Sequence, residues 1–113
     1  MNITNHKSLE EISFQIILHA GNARSSAMEA MQLAQEGQFE EAKRKIEEAD
    51  QEFHLAHHSQ TDLLQKESSG ERVETSILLI HAQDHLMTSM TTKDLAQEII
   101  FLHEKLQEKG ESR

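Results

Sequence analysis

At 113 residues with a net charge of −9, no Cys, no Pro, no Trp, no Tyr and four Phe, the chain is sized for a single domain and composed for helices. The acidic balance without any basic run excludes binding to a phosphate backbone and favours basic protein partners. The missing cysteines exclude disulfides and thiolate metal sites and fit a reducing compartment. No apolar run nears the ~20 residues that span a bilayer, and the first residues hold no leader-like apolar region, so the expected setting is the cytoplasm.

Taken in order, residues 1–7 read as a flexible arm, and Ser8 followed three positions later by Glu11 is a capping-box signature. The first helix is expected over about 8–36, with Leu9, Ile12, Ile16, Ala20, Ala23, Ala27, Met31 and Ala34 at three- and four-residue steps and Gly37 as its terminator. The small residues from Ala20 to Ala27, Gly21 among them, predict close approach of a neighbouring helix. That approach would offset the ~1 kcal/mol a helical glycine costs.

The second helix is expected over about 39–66, burying Phe39, Ala42, Ile46, Ala49, Phe53, Ala56, Leu63 and Leu64. Glu40, Glu41, Lys43, Arg44, Lys45, Glu47 and Glu48 form a solvated face of alternating sign. The run Glu67-Ser68-Ser69-Gly70-Glu71 predicts a loop.

The third helix, from about Val73 to 109, would extend for about 55 Å. Three long helices with two short connections give an all-α, antiparallel three-helix bundle, up-down-up. A chain this short buries only roughly two-thirds of its surface, so oligomerisation is expected, and the coiled-coil-like seam of the third helix is the natural place for it. Along that seam Val73, Ile77, Ile80, Thr91, Leu95, Leu102 and Leu106 form a stripe expected to be buried. Asp84 stands where the stripe calls for an apolar residue. A carboxylate there costs stability unless something pairs with it, and a lone polar residue in such a seam commonly sets register and subunit number.

Two histidine groups carry possible chemistry. His54, His57 and His58 have metal-ligand spacing on the second helix, but spacing alone supplies no complete ligand set. A di-iron bundle is excluded more firmly, because it needs Glu-x-x-His motifs and none of the eight histidines has Glu three positions before it. The second group, His81, Asp84 and His85, shares one helical face at i, i+3 and i+4. Spacing leaves open whether these are packed core histidines beside a paired aspartate or a reactive site.

The string His81-Ala82-Gln83-Asp84-His85-Leu86-Met87-Thr88, preceded by Ser76-Ile77-Leu78-Leu79-Ile80, narrows the choice. It resembles the active-site helix of the enzyme IIA components of the lactose/cellobiose (chitobiose) sugar phosphotransferase system. Ala20-Gly21-Asn22-Ala23-Arg24-Ser25 and Leu102-His103-Glu104-Lys105-Leu106 are similar to further signatures of that family. The resemblance implies a homotrimer that accepts phosphate from the phosphocarrier protein HPr and passes it to a cysteine of a IIB component, the IIB and membrane IIC components coupling phosphorylation to disaccharide uptake. It implies that His81 becomes the phosphohistidine, and that Asp84 meets its two symmetry mates around a divalent ion, Mg²⁺, one per trimer. His85, one turn on, is expected as a hydrogen-bond donor to the phosphoryl group.

The chemistry agrees: a neutral imidazole is nucleophilic near pH 7 and its phosphoramidate keeps a high transfer potential, where a serine would trap the phosphate as a stable ester. Phosphoryl transfer asks for positioning and charge neutralisation more than for covalent machinery. The competing readings are a non-enzymatic trimeric helical adaptor and a metal-binding bundle using His54, His57 and His58.

Overall fold

The computed structural model describes residues 8–111, so the expected arm over residues 1–7 lies outside the described residues. Three helices follow one another, α1 (Leu9–Gln35), α2 (Phe39–Ser68) and α3 (Ile77–Glu111), in a rod of 69 × 22 × 21 Å. α1 packs on both other helices along its length, whereas α2 and α3 touch each other far less.

Each helix begins and ends for a local reason. The Ser8 Oγ accepts the Glu11 N–H at 3.1 Å and its hydroxyl donates to Glu11 Oε1 at 3.3 Å, closing the start of α1. Gly37 sits at φ +79°, which lets the Gln38 N–H reach back to the Leu33 carbonyl at 2.9 Å and the Gly37 N–H to that of Ala34 at 3.0 Å. Gly70, at φ +95°, turns the chain out of α2 in the same manner. α3 starts at Ile77 and not at Val73, because Ser76 supplies the cap: its Oγ accepts the Leu79 N–H at 3.0 Å. Val73 instead packs on the core from the connecting segment. Gly110 does not stop α3, which runs on to Glu111.

The core is built largely from alanine. Ala20, Ala23, Ala27, Ala30 and Ala34 of α1 meet Ala42, Ala49 and Ala56 of α2 and Ala82 and Ala96 of α3, all sealed from solvent, with Ile16, Phe53, Leu86 and Ile100 filling the larger gaps. Such small side chains let the helices approach closely. The buried face of α3 is therefore Ala82, Leu86, Ser89, Ala96 and Ile100. The stripe expected to be buried lies on the opposite side: Ile77, Ile80, Leu95, Leu102 and Leu106 are each more than half exposed in the protomer, Thr91 is exposed with them, and Met87 adds a further exposed apolar side chain to the same line. Leu64, also expected inside, is 55% exposed. Gly21 serves no internal close contact, since a Cβ built there meets nothing within 4 Å.

Ion pairs fix the register between helices. Lys43 reaches Glu104 at 3.0 Å, Lys93 reaches Asp50 at 3.0 Å and Lys45 reaches Glu29 at 3.4 Å. Glu52 Oε1 is held by His19 Nδ1 at 2.9 Å and by the Asn22 amide at 3.0 Å, and these bonds, His19 first, keep its carboxyl below the usual carboxylate range against the opposing effect of burial. A carboxyl favoured in its ionised form stabilises the fold above its unfolded pKa, about 4.3, and loses that contribution as pH falls through the lower folded value. Glu52→Gln is accordingly expected to lower the thermal midpoint at neutral pH and to match the parent in acid; a constant offset across the pH range would contradict this account.

Among the described residues the buried polar side chains are Ser13 and Ser89. The Ser13 hydroxyl donates to the Leu9 carbonyl at 2.8 Å, but the Ser89 Oγ has no partner. Leaving a hydroxyl unsatisfied costs about 1–3 kcal/mol, so Ser89→Ala should stabilise the protein by about 1 kcal/mol, read as a raised urea midpoint with an unchanged slope.

Candidate phosphoryl-accepting site

α3 places His81, Asp84 and His85 within its second and third turns, beside the apolar stripe. His81 and Asp84 are exposed and His85 is half-buried. The imidazoles of His81 and His85 meet edge to face, with ring centroids 4.5 Å apart and planes at 89°, and their Nε2 atoms lie 3.1 Å apart. One hydrogen bridges that contact, so one of the two nitrogens presents a lone pair and the other an N–H. A lone pair and an adjacent N–H, one helical turn apart, thus lie together at the exposed surface of α3.

Asp84 takes no part in the ion pairs found among the described residues. Its carboxylate stands in the exposed line between Ile80 and Met87, and the threonines nearby make that line more apolar than their names imply. The Thr88 hydroxyl donates to the Asp84 carbonyl at 2.8 Å, Thr91 to that of Met87 at 3.2 Å and Thr92 to that of Thr88 at 3.0 Å, so these hydroxyls are occupied within the helix.

The other histidines lie elsewhere. His54, His57 and His58 are all exposed on α2. His54 and His57 line a groove of about 250 Å³ against Met90, Lys93 and Asp94. Among the described residues no three His, Asp or Glu side chains of one chain converge as metal ligands. One contact near the site had no signal in the spacing of the sequence: the Gln60 amide of α2 donates to Gln83 Oε1 of α3. The partners are separated by a whole interhelical connection, and only the register of α2 against α3 brings them together.

Comparison with known proteins gives a consistent pattern. The family model described as "PTS system, Lactose/Cellobiose specific IIA subunit" matches residues 11–104. The chain is 54% identical to the lichenan-specific phosphotransferase enzyme IIA component of Bacillus subtilis (strain 168), over 91% of this chain and 94% of that protein. Its fold superimposes on the crystal structure of the cellobiose-specific enzyme IIA from Bacillus anthracis with a TM-score of 0.87 and 48% identity, covering 95% of this chain and 99% of the other. It also superimposes on the IIA(chitobiose) structure solved in complex with HPr from the Escherichia coli phosphotransferase system, with a TM-score of 0.76 and 38% identity, over 90% of this chain and 99% of that one. Among the described residues no helix is long and apolar enough to cross a membrane. With the motif, the three-helix architecture and the family match in agreement, the chain belongs to the lactose/cellobiose-specific IIA subunit family of the phosphotransferase system.

Proposed function

We propose that this chain is a histidine phosphocarrier, accepting a phosphoryl group from phospho-HPr on His81 and passing it to the cysteine of a IIB component for uptake of a lactose-, cellobiose- or chitobiose-type disaccharide through the membrane IIC component. The observation that carries the reading is the exposed His81–His85 pair, with the two Nε2 atoms 3.1 Å apart at the edge of an unpartnered apolar stripe. A relative captured in complex with HPr supports the choice of donor.

The transfer balances within the two imidazoles. With the shared hydrogen on His85, the His81 Nε2 lone pair attacks phosphorus, the N–P bond of the donor phosphohistidine breaks, and the donor imidazole leaves with that electron pair. The His85 N–H, freed from the lone pair it had been facing, then donates to a phosphoryl oxygen. Transfer onward reverses the geometry, with the IIB thiolate as nucleophile and His81 as leaving group.

The reading includes a homotrimer joined through the exposed stripe of α3. Six large apolar side chains at roughly 100 Å² apiece reach the upper end of what a soluble monomer leaves in one patch, and their three- and four-residue steps are the pattern of a seam between helices. Asp84 then meets its two counterparts on the axis. Three carboxylates form an all-oxygen donor set that suits a hard divalent cation such as Mg²⁺, which would neutralise their mutual repulsion as a structural ion.

Incubation with phosphoenolpyruvate, enzyme I and HPr tests the function. A gain of ~80 Da, labile to acid and mapped to His81, is expected for one phosphoryl group per chain. An unchanged mass, or an acid-stable adduct, would overturn it and leave the adaptor reading.

A further inference from the structure

We infer that Arg24 of α1 is the phosphoryl-binding cation of this carrier: its guanidinium reaches along the α1–α3 groove to the oxygens of a phosphoryl group held on His81, over a path that Gly21 keeps open. The inference rests on the phosphocarrier proposed above and adds to it a residue of the first helix.

A phosphoryl group brings about −1.5 to −2 of charge at neutral pH, and its transfer depends on neutralising that charge. The third helix supplies little toward it. Asp84 is itself an anion, and Lys93, further along, is taken by Asp50 at 3.0 Å and Asp94 at 3.3 Å. Arg24 is exposed and forms no ion pair among the described residues, whereas Lys43, Arg44, Lys45 and Lys105 are paired. Its guanidinium is free to meet an incoming anion.

Helix geometry sets Arg24 beside the histidines. On α1, Asn22 and Glu29 turn to α2, through Glu52 and Lys45. Arg24 lies about 200° around the helix from Asn22 and about 20° from Ile17, which packs on the core, so it borders the other neighbour of α1, which is α3. On α3, Gln83 turns to α2. His81 and His85, two residues to either side at about 100° each, lie on the far flank, and His85 is half-buried there. The two flanks thus line one groove. Their levels follow from the core: Ala20 and Ala23 share a cluster with Ala82 and Leu86, and Ala27 and Ala30 share the next with Ala96 and Ile100. The backbone of Arg24 is therefore level with about residue 90, roughly 8 Å beyond His85.

Helical side chains lean back over the turn N-terminal to their own Cα. Because α1 and α3 run in the same direction, the Arg24 stem leans toward the histidines, across the turn that holds Ala20 and Gly21. A Cβ built on Gly21 meets nothing within 4 Å, so the glycine answers no packing need inside the protomer. An open channel for the arginine gives its helix-propensity cost a purpose. The guanidinium then presents two coplanar N–H groups to two phosphoryl oxygens, beside the N–H of His85. Arg24 forms no bond to phosphorus; the bonds made and broken are those of the transfer described above.

Two variants test the contact, and the exposure of Arg24 keeps both from disturbing the core. Arg24→Met should accept phosphate from phospho-HPr about tenfold more slowly or worse, with Arg24→Lys between it and the parent. Rate alone does not separate a contact with the phosphoryl group from one with HPr, so the deciding readout is phosphorus NMR of each phosphoprotein after HPr has been removed. A guanidinium beside the phosphoryl group favours its dianion, and the titration midpoint of the parent should lie roughly one pH unit below that of Arg24→Met. Equal midpoints would overturn the inference, and slower labelling alongside them would assign Arg24 to HPr docking. Gly21→Ile should raise the midpoint as Arg24→Met does and add nothing to it in the double variant; a midpoint unmoved by Gly21→Ile would overturn the part given to Gly21. Parent protein that labels at His81 with the midpoint of Arg24→Met leaves the carrier function standing without this contact. Parent protein that never labels would refute both.

Discussion

His81→Ala is expected to abolish phosphate uptake from phospho-HPr while leaving the fold and its association unchanged. The imidazole is exposed and its hydrogen-bonding contact is with the neighbouring ring of His85, so truncation opens no cavity and strands no buried polar group. Alanine also has the higher helix propensity, which leaves the helix no weaker. The chemical loss is complete, because no other group at that place combines a lone pair at neutral pH with a product that keeps its transfer potential. His85→Ala is the informative companion: it keeps the nucleophile and removes the donor, and it should slow labelling without ending it. Mass spectrometry at neutral pH with an acid-quenched control reads both outcomes. Undiminished labelling of His81→Ala at His57 or His85 would move the site.

The face of α3 that meets the rest of the protomer was the main feature hidden in the sequence. α3 carries two stripes, one of Ala82, Leu86, Ser89, Ala96 and Ile100 and one of Ile77, Ile80, Met87, Leu95, Leu102 and Leu106. Hydrophobic size favours the second as the core. The first wins inside the protomer because the alanines Ala20, Ala23 and Ala27 of α1 let Ala82 and Ala96 of α3 approach closely, with Leu86 and Ile100 filling the gaps between them. The larger stripe is thereby left outward, available to further copies of the chain. Leu64 was misplaced for a related reason: α2 and α3 make few contacts, so the side of α2 turned toward α3 stays open. The caps of α1 were legible, since Ser8 with Glu11 and Gly37 each act within a few residues of themselves, whereas the Ser76 cap that starts α3 and the passage of α3 through Gly110 were not. The grouping of His81 with His85 was equally local, fixed by one helical turn. The amide contact between Gln60 and Gln83 was not, because it depends on the vertical register of two helices. That register is set by pairs such as Lys93–Asp50, whose meeting no spacing rule announces.

On the proposed trimer with a cation on its axis, Asp84→Leu should keep the assembly, raise its thermal midpoint by several degrees and remove any effect of chelator on it. The reason lies in the position of Asp84 within an otherwise apolar line. Once three copies close around an axis, the three carboxylates sit at one height, and each charge taken from water carries a desolvation penalty of several kcal/mol that a shared cation only partly offsets. Leucine at the same place continues the stripe of Ile80 and Met87, and replacing buried charges by well-packed apolar groups gains about 1–4 kcal/mol where it has been measured. The parent protein should lose stability when the divalent ion is removed, because chelation leaves three like charges facing one another, while the variant has no such dependence. Thermal unfolding of both proteins with and without EDTA, beside sedimentation of each, separates the possibilities. If Asp84→Leu sediments as a monomer, the carboxylates hold the assembly together and the apolar stripe does not; if the parent is indifferent to EDTA and to added Mg²⁺, no cation bridges them. Labelling at His81 should persist in Asp84→Leu, since in this account the ion on the axis neutralises charge and the histidine flank carries the chemistry.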